Sequence, residues 1–394
     1  MRLKGLLEPL ETGIELKKIL QSINEKTYPV GIYGLSDSGK SYMIDGIFEN
    51  IEKSIVIVTQ NDMEAKNLYE DLILYTNEVY YFPVKETVFY NIDAVSGDLR
   101  WARLNVINEI LNNKNKKIVI TSIDSFMATY APHKLFIKYS MTIKQGTEIN
   151  FNEMSSKLIE SGYERVEIVE SKGQFSVRGG ILDIFPTCST YPYRVELFGD
   201  EIESIRTFNS ESQRSIDKVK SFKVFPAKEI LVSQESMNKA KESILNEFKK
   251  ISSHNKEKER IEKLEKVVKS NIESLEENLT FETIDSYLPY FYDEIESFFD
   301  YFKNYLFIMN DVKRCKGKLE SSYLEFAENF TSFLERGDIL PGQEKLLINE
   351  HDTLDKFEKS NILFFETLNN TEKFLKPFTS IELKQTTLSN YQGM

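Results

Sequence analysis

Cysteine and histidine are scarce: the 394-residue chain has two cysteines, Cys188 and Cys315, and three histidines, His133, His254 and His351. The cysteines lie far apart in sequence, so no disulfide framework is expected, and neither they nor the scattered histidines supply the ligand spacing of a zinc site. No structural metal is expected. Long apolar runs are also missing. No window approaches the ~18 uninterrupted apolar residues of a membrane span, and the opening MRLKGLLEPLETGIELKKIL places acidic residues inside any would-be secretion signal. A cytoplasmic protein without membrane contact is the expectation. Positive charge is in deficit, with 50 Lys and Arg against 62 Asp and Glu and a formal net charge of −12. Duplex DNA binding rests on neutralising phosphates, so weak or no DNA binding is expected, although a local basic groove fits within an acidic total.

What is present is enough apolar material, 41% hydrophobic and 12% aromatic, to bury the cores of two or three domains. After an amphipathic N-terminal helix comes the short apolar strand Tyr28 to Tyr33, then a helix with Ile44, Ile47, Phe48 and Ile51 at the spacing of one buried face. Apolar runs at Ile55 to Thr59, Val79 to Phe82 and Ile118 to Thr121 alternate with helical patterns at Glu64 to Leu74 and Leu99 to Leu111. Strands alternating with helices predict an α/β fold, a parallel sheet with helices on both faces.

The texture changes near His133. From about Lys134 to Lys228 the strands are short and close together, punctuated by Gly146, Gly162, Gly173, Gly179-Gly180 and Gly199, which predicts a mixed α+β insert built on antiparallel pairing. Beyond Val232 the pattern is helical again, with Ile261, Leu264, Val268 and Leu275 forming one apolar stripe on a charged helix whose remaining charges read as a solvated face. The block Tyr287 to Phe307 is dense in tyrosine and phenylalanine. Bases could stack on such rings, but interleaved acids and few cations favour core packing. Leu346 to Ile348 and Ile362 to Phe365 read as late strands, and the polar run Lys384 to Met394 reads as a cut, with further domains expected beyond it. The expected domains are 1–133 for the first part of the scaffold, 134–226 for the insert, 227–381 for a helical subdomain and the return to the scaffold, and 382–394 for a linker.

Gly34-Leu-Ser-Asp-Ser-Gly-Lys-Ser41 satisfies the phosphate-loop pattern G-x-x-x-x-G-K-[ST] between a strand and a helix. In that chemistry Gly34 and Gly39 let backbone amides wrap the phosphates, Lys40 neutralises oxygens and Ser41 holds magnesium at a helix N-terminus. Asp37 is a poor neighbour, since an acid in the loop repels polyphosphate unless it faces solvent. Hydrolysis further needs an acidic pair ending a second strand, one carboxylate for magnesium and one for water. The candidate run Tyr305 to Asp311 ends in Asn310 and Asp311, and asparagine is a neutral, poorer ligand. The other candidate acids, Asp62, Asp124 and Asp183, are not followed by glutamate.

The segment from Tyr163 to Pro186, YERVEIVESKGQFSVRGGILDIFP, sets Arg165 and Arg178 among strand-forming residues. The Gly179-Gly180 pair permits a bulge that would re-aim Arg178 out of the pleat, whereas the plain reading makes both arginines solvated edge charges. FSVRGGILDIFP, with Tyr-Glu-Arg before it and YRVELFGDEIESIRTFN after it, resembles the domain shared by the UvrB/Mfd family, and the similarity runs from about Tyr28 to the end. In that family this domain is the docking surface for UvrA. The resemblance assigns Arg165 and Arg178 to UvrA contact with Phe185 beside them, and Ser176 stands where the UvrB pattern has a further arginine.

The resemblance also implies a P-loop NTPase-like scaffold of helicase type, in degenerate form. A family helicase would end the second strand in Asp-Glu, a UvrB-like protein would carry a long aromatic hairpin where this chain has only Phe82 to Asp98, and no arginine finger is found. The phosphate-loop residues Gly34, Gly39, Lys40 and Ser41 are therefore read as vestigial, with no cofactor required, although bound ATP and magnesium stay an open alternative. The implied function is recruitment of UvrA to stalled RNA polymerase by a non-catalytic N-terminal module of a transcription-repair coupling factor, an ATP-dependent DNA translocase when entire. The implied partners are UvrA and the rest of the module's own chain. Two alternatives stand beside it: an active UvrB-like ATPase that loads on damaged DNA, and an autoinhibitory domain that masks the UvrA site in cis.

Overall fold

The computed structural model of the chain describes residues 13–85, 97–254, 257–278, 280–281, 283–367 and 374–383. Most of the short Phe82 to Asp98 segment and the polar C-terminal run therefore lie outside the described residues. Five strands precede the insert: β1 (Val30–Tyr33), β2 (Ile55–Thr59), β3 (Val79–Tyr81), β4 (Ile118–Ser122) and β5 (Thr129–Tyr130). Eight lie within it: β6 (Met141–Lys144), β7 (Glu164–Arg165), β8 (Gln174–Arg178), β9 (Ile181–Ile184), β10 (Tyr193–Phe198), β11 (Glu201–Phe208), β12 (Ser215–Lys218) and β13 (Ser221–Val224). Four follow: β14 (Glu296–Ser297), β15 (Leu306–Asn310), β16 (Ile362–Glu366) and β17 (Thr379–Glu382).

The scaffold is a seven-stranded sheet in the order β17-β1-β16-β15-β2-β4-β3, and every pairing in it is parallel. Its central strands are apolar along their whole length because both faces are covered. Along β2, Ile55 and Ile57 point into one layer with the helices Ile14–Glu25, Asp37–Asn50 and Asp62–Leu72. Val56 and Val58 point into the other, larger layer with helices Gly97–Asn112, Lys258–Asn278 and Val312–Glu335. The stripe of Ile44, Ile47, Phe48 and Ile51 is buried as its spacing predicts. Each such side chain contributes about 1.5–3 kcal/mol by leaving water.

Consecutive lysines tie two helix ends to β4. Lys116 donates to the carbonyls of Phe48 and Ile51, at the end of the helix Asp37–Asn50. Lys117, fully buried, donates to the carbonyls of Glu109 and Asn113 at the end of the helix Gly97–Asn112. A cation over the last carbonyls of a helix satisfies orphan acceptors and opposes the dipole.

The aromatic block is core. Phe126 lies against Phe298, Phe299 and Phe357, with Phe298 stacked on Tyr130 at 5.0 Å between ring centroids. One late element differs from its sequence reading: Leu346 closes the 3-10 turn Pro341–Leu346 and Leu347 makes only an isolated bridge to Ala128, so Leu346 to Ile348 is not a strand. Its apolar residues are buried by packing, which a short run cannot distinguish from strand pairing.

The insert hangs from the scaffold on two neighbouring strands, since β6 and β13 pair antiparallel from Met141–Val224 to Lys144–Ser221. Within it β12-β11-β10-β9-β8-β7 form a six-stranded mixed sheet. Its inner face (Phe175, Leu182, Ile184, Val195, Ile205) packs on Leu158 of the helix Phe151–Glu160 and on Ile143 and Phe222 of the β6–β13 pair. Side-chain contacts reinforce the region where the insert meets the scaffold. Trp101 packs against Gly173, whose backbone has φ +79°; a Cβ there would lie 3.0 Å from the indole. Arg103 forms a two-pronged ion pair with Glu229 just past the insert, at 2.7 and 3.0 Å, with both side chains buried. Among the described residues no helix is long and apolar enough to cross a membrane.

Candidate docking face and phosphate loop

Strand alternation gives the insert's sheet a second, open face. Starting from the core residues Phe175 and Leu182, period two places Ser176, Arg178, Asp183, Arg194 and Arg206 on the outer side. The register is unbroken across the first hairpin: Ser176 is opposite Asp183 and Arg178 opposite Ile181. Asp183 is in turn opposite Arg194, and Arg194 opposite Arg206. Gly179-Gly180 is therefore a two-residue turn, not the bulge the sequence permitted. Gly179 alone of the two has positive φ, +58°, the sign pattern of a type II′ turn that matches strand twist. A glycine is needed there for its backbone, since no atom lies within 4 Å of where its Cβ would be.

Arg178 stands at the mouth of this turn, half exposed, and its guanidinium donates to Asp183 Oδ2 at 2.9 Å. The same carboxylate takes two bonds from Arg194, at 2.7 Å on Oδ1 and 2.8 Å on Oδ2. Asp183 is fully buried beneath the two arginines. Arg194 is held further by Gln213 Oε1 at 3.3 Å and lies 4.6 Å over the ring of Phe208. Phe208 belongs to a small cluster with Val169, Val166 and Phe185. Phe185 is thus a buried support, 8% exposed, and does not offer its ring to solvent. Glu196 completes the face by pairing with Arg206 at 3.1 Å.

Arg165 lies on the two-residue edge strand β7, opposite Phe175 in a parallel ladder, and is exposed. Because Phe175 and Arg178 are three residues apart on one strand, alternation sets Arg165 and Arg178 toward opposite faces of the sheet. The structure does not bring them into one row. Among the described residues Arg165 forms no ion pair. Ser176 is buried and its hydroxyl donates to the Glu167 carbonyl at 2.9 Å, which closes the loop between β7 and β8. Asp183 and Arg194 are functional candidates that the motif alone did not single out. A signal was present, as Asp183 is the one polar residue of β9 and Arg194 alternates with Glu196 between apolar residues of β10.

The phosphate-loop residues sit where the motif predicts, between β1 and the next helix, but the loop is drawn in. The helix begins at Asp37 rather than after the second glycine, with Ser36 as its N-cap accepting from the Gly39 amide at 3.3 Å. The Lys40 amide donates to the Ser36 carbonyl at 2.9 Å. Two amides that would wrap a phosphate are engaged inside the helix's own first turn. The Lys40 ammonium pairs with Asp37 Oδ1 at 3.1 Å, and the Asp37 side chain is almost wholly solvent-exposed. The Ser41 hydroxyl is 3.4 Å from Asp71 Oδ2. Gly34 has φ +85°, and its open side is filled by the Leu383 carbonyl, 2.5 Å from where a Cβ would be. At the second strand end, Asp311 caps the helix Val312–Glu335 by accepting from the Arg314 amide, while the Asn310 carboxamide oxygen is buried with no partner among the described residues. The alternative acids are also committed: Asp62 accepts from the Tyr81 hydroxyl, and Asp124 from Ser322 at 2.7 Å. As they stand these residues do not fit a nucleotide and its magnesium, because the Gly39 and Lys40 amides, the Lys40 ammonium and the Asp311 carboxylate are engaged within the chain.

The family comparison picks out the same stretch of chain that forms the insert. Residues 141–230 match the UvrB interaction domain. Over 333 residues the chain is 34% identical to the transcription-repair-coupling factor of Bacillus subtilis (strain 168), covering 83% of this chain and 28% of that protein. It is 28% identical over 345 residues to the same factor of Staphylococcus epidermidis (strain ATCC 35984), and 26% identical over 334 residues to that of Staphylococcus aureus (strain MRSA252). The chain belongs to the transcription-repair coupling factor (Mfd) family, as an N-terminal module, and spans 28% of the length of these curated relatives.

Proposed function

We propose that this module works by recognition, docking UvrA on the insert so that the repair machinery is brought to a lesion where RNA polymerase has stalled. The observation that carries the reading is Arg178: half exposed, on the open face of the segment that matches a UvrB interaction domain, with one edge of its guanidinium directed to Asp183 and the remaining donors available. Arginine forks pair well with carboxylates, so an acidic surface on UvrA is the complement. Arg165 at the edge of the sheet would contact a separate part of the partner, and Phe185 would act from below by supporting the outer face.

In this reading the module hydrolyses no ATP. Support comes from the drawn-in loop, the Asp37–Lys40 pair and the use of Asp311 as a helix cap. The phosphate-loop string is then a structural turn, and ATP-driven translocation on DNA belongs to other parts of an entire coupling factor, as do the contacts with RNA polymerase.

Calorimetry of the 394-residue chain with purified UvrA tests the proposal. Micromolar or tighter binding is expected, falling on Arg178→Ala by about 2 kcal/mol, the size of a central charged contact. No heat of binding with the parent chain, together with ATP turnover that Lys40→Ala abolishes, would replace docking with nucleotide chemistry.

A further inference from the structure

We infer that Asp183 is a positioning residue for docking: it does not touch the partner, but it sets Arg178 in the geometry that the partner reads. This rests on the docking proposal and names the device by which that site works. Asp183 sits in the middle of β9, directly opposite Ser176 on one side and Arg194 on the other. It is fully buried, yet among the described residues no backbone amide or hydroxyl holds its carboxylate, whose partners are two arginines.

The two arginines are held differently. Arg194 is immobilised through Nε and one terminal nitrogen on the carboxylate, through Gln213, and by stacking on Phe208. Arg178 reaches Asp183 by a single terminal nitrogen and leaves its Nε and second terminal nitrogen clear of the carboxylate. A fork with one tine anchored is restricted in orientation while still able to bind a carboxylate from outside. The triad carries one net positive charge, from two guanidinium groups and one carboxylate. Without the carboxylate the two cations would repel, and Arg178 would regain the rotamer freedom of a long exposed side chain, which binding would then have to remove. The row Ser176–Asp183–Arg194 also shows why a serine is compatible at 176: a third arginine there would face the same carboxylate, whose bonds are already shared.

A double-mutant cycle read by calorimetry against purified UvrA tests this, using the 394-residue chain, Arg178→Ala, Asp183→Asn and the double variant, each checked by circular dichroism. Asp183→Asn is expected to weaken binding by about tenfold or more, Arg178→Ala by a similar factor, and the double variant by no more than the larger single effect, because both remove one preset contact. Additive losses would mean that Asp183 acts only through the fold, and parent-like binding by Asp183→Asn would overturn the inference outright. Should Asp183→Asn not fold, Arg178→Lys decides: it keeps the charge but loses the fork, so a loss close to that of Arg178→Ala is expected and parent-like affinity refutes. If the parent binds UvrA but Arg178→Ala binds equally well, this inference fails while the docking proposal survives. If the parent does not bind at all, both fail together.

Discussion

Replacing Glu229 by glutamine should destabilise the scaffold where the chain leaves the insert by about 3 kcal/mol. Arg103 and Glu229 are 6% and 7% exposed and meet through two bonds of 2.7 and 3.0 Å, and a second terminal nitrogen of Arg103 reaches the Val84 carbonyl at 3.3 Å. Burial alone would lower the affinity of the guanidinium for its proton, and the Glu229 carboxylate outweighs it, holding Arg103 above its ordinary range. Removing one charge of a buried pair leaves the other unpaired in a poorly solvated site, a cost of about 3–5 kcal/mol, whereas replacing both by apolar residues of similar volume is often close to neutral. Glutamine keeps some hydrogen bonding, which sets the expectation at the lower end. Trp101, two residues from Arg103 on the same helix and the single tryptophan of the chain, packs on Gly173 of the insert. Its fluorescence therefore reports the region where insert meets scaffold, which matters because a chain with several cores need not unfold in one step. In urea, Glu229→Gln should bring the tryptophan transition to lower denaturant, and Arg103→Met with Glu229→Leu should restore much of the midpoint. The reasoning is refuted if the single variant leaves that transition in place, or if the double variant is as weak as the single.

Other outcomes follow from the same structure. Lys117→Met removes two bonds to the carbonyls of Glu109 and Asn113, and should lower stability in urea by about 1–3 kcal/mol. Phe126→Ala opens the centre of the aromatic core and should cost about 3–5 kcal/mol, visible as an earlier thermal transition. Millimolar MgATP should not raise the melting temperature, since ligand at 100 times its dissociation constant would add about 2.7 kcal/mol; a rise that Lys40→Ala abolishes would count against the drawn-in loop. Burial pushes the Cys188 thiol up to about 11 from 9.0, so it should react slowly with maleimide at pH 8 until the chain is unfolded. Because its folded value is the higher one, the stability linked to that thiol is fully present below pH 9 and lost as pH rises toward 11.

The parallel sheet was legible because its central strands are unbroken apolar runs, and burial on both faces needs no partner to be named. β17 was not, since its four residues carry one buried side chain, Ile381, and owe their strand form to pairing with β1. The phosphate-loop motif located its turn correctly but could not report the conformation. That is decided by Ser36 capping the helix early and by the Leu383 carbonyl lying on Gly34, a contact across almost the whole described chain. On the outer face of the insert Arg178 was legible as a candidate, but Gly179-Gly180 read as a bulge and not as the hairpin turn it is, and the sharing of Asp183 by Arg178 and Arg194 depends on register across three strands. Nor does any local pattern announce that Arg103 meets Glu229, 126 residues on.

The insert begins and ends on paired strands, with Met141 opposite Val224. Antiparallel partners lie about 5 Å apart at Cα, so the whole insert enters and leaves its host through a gap no wider than that of a tight hairpin loop. It also carries a core of its own. Residues 141–224 therefore join their host through one narrow pair of strands, and the packing of Trp101 on Gly173 steadies them against it from the side.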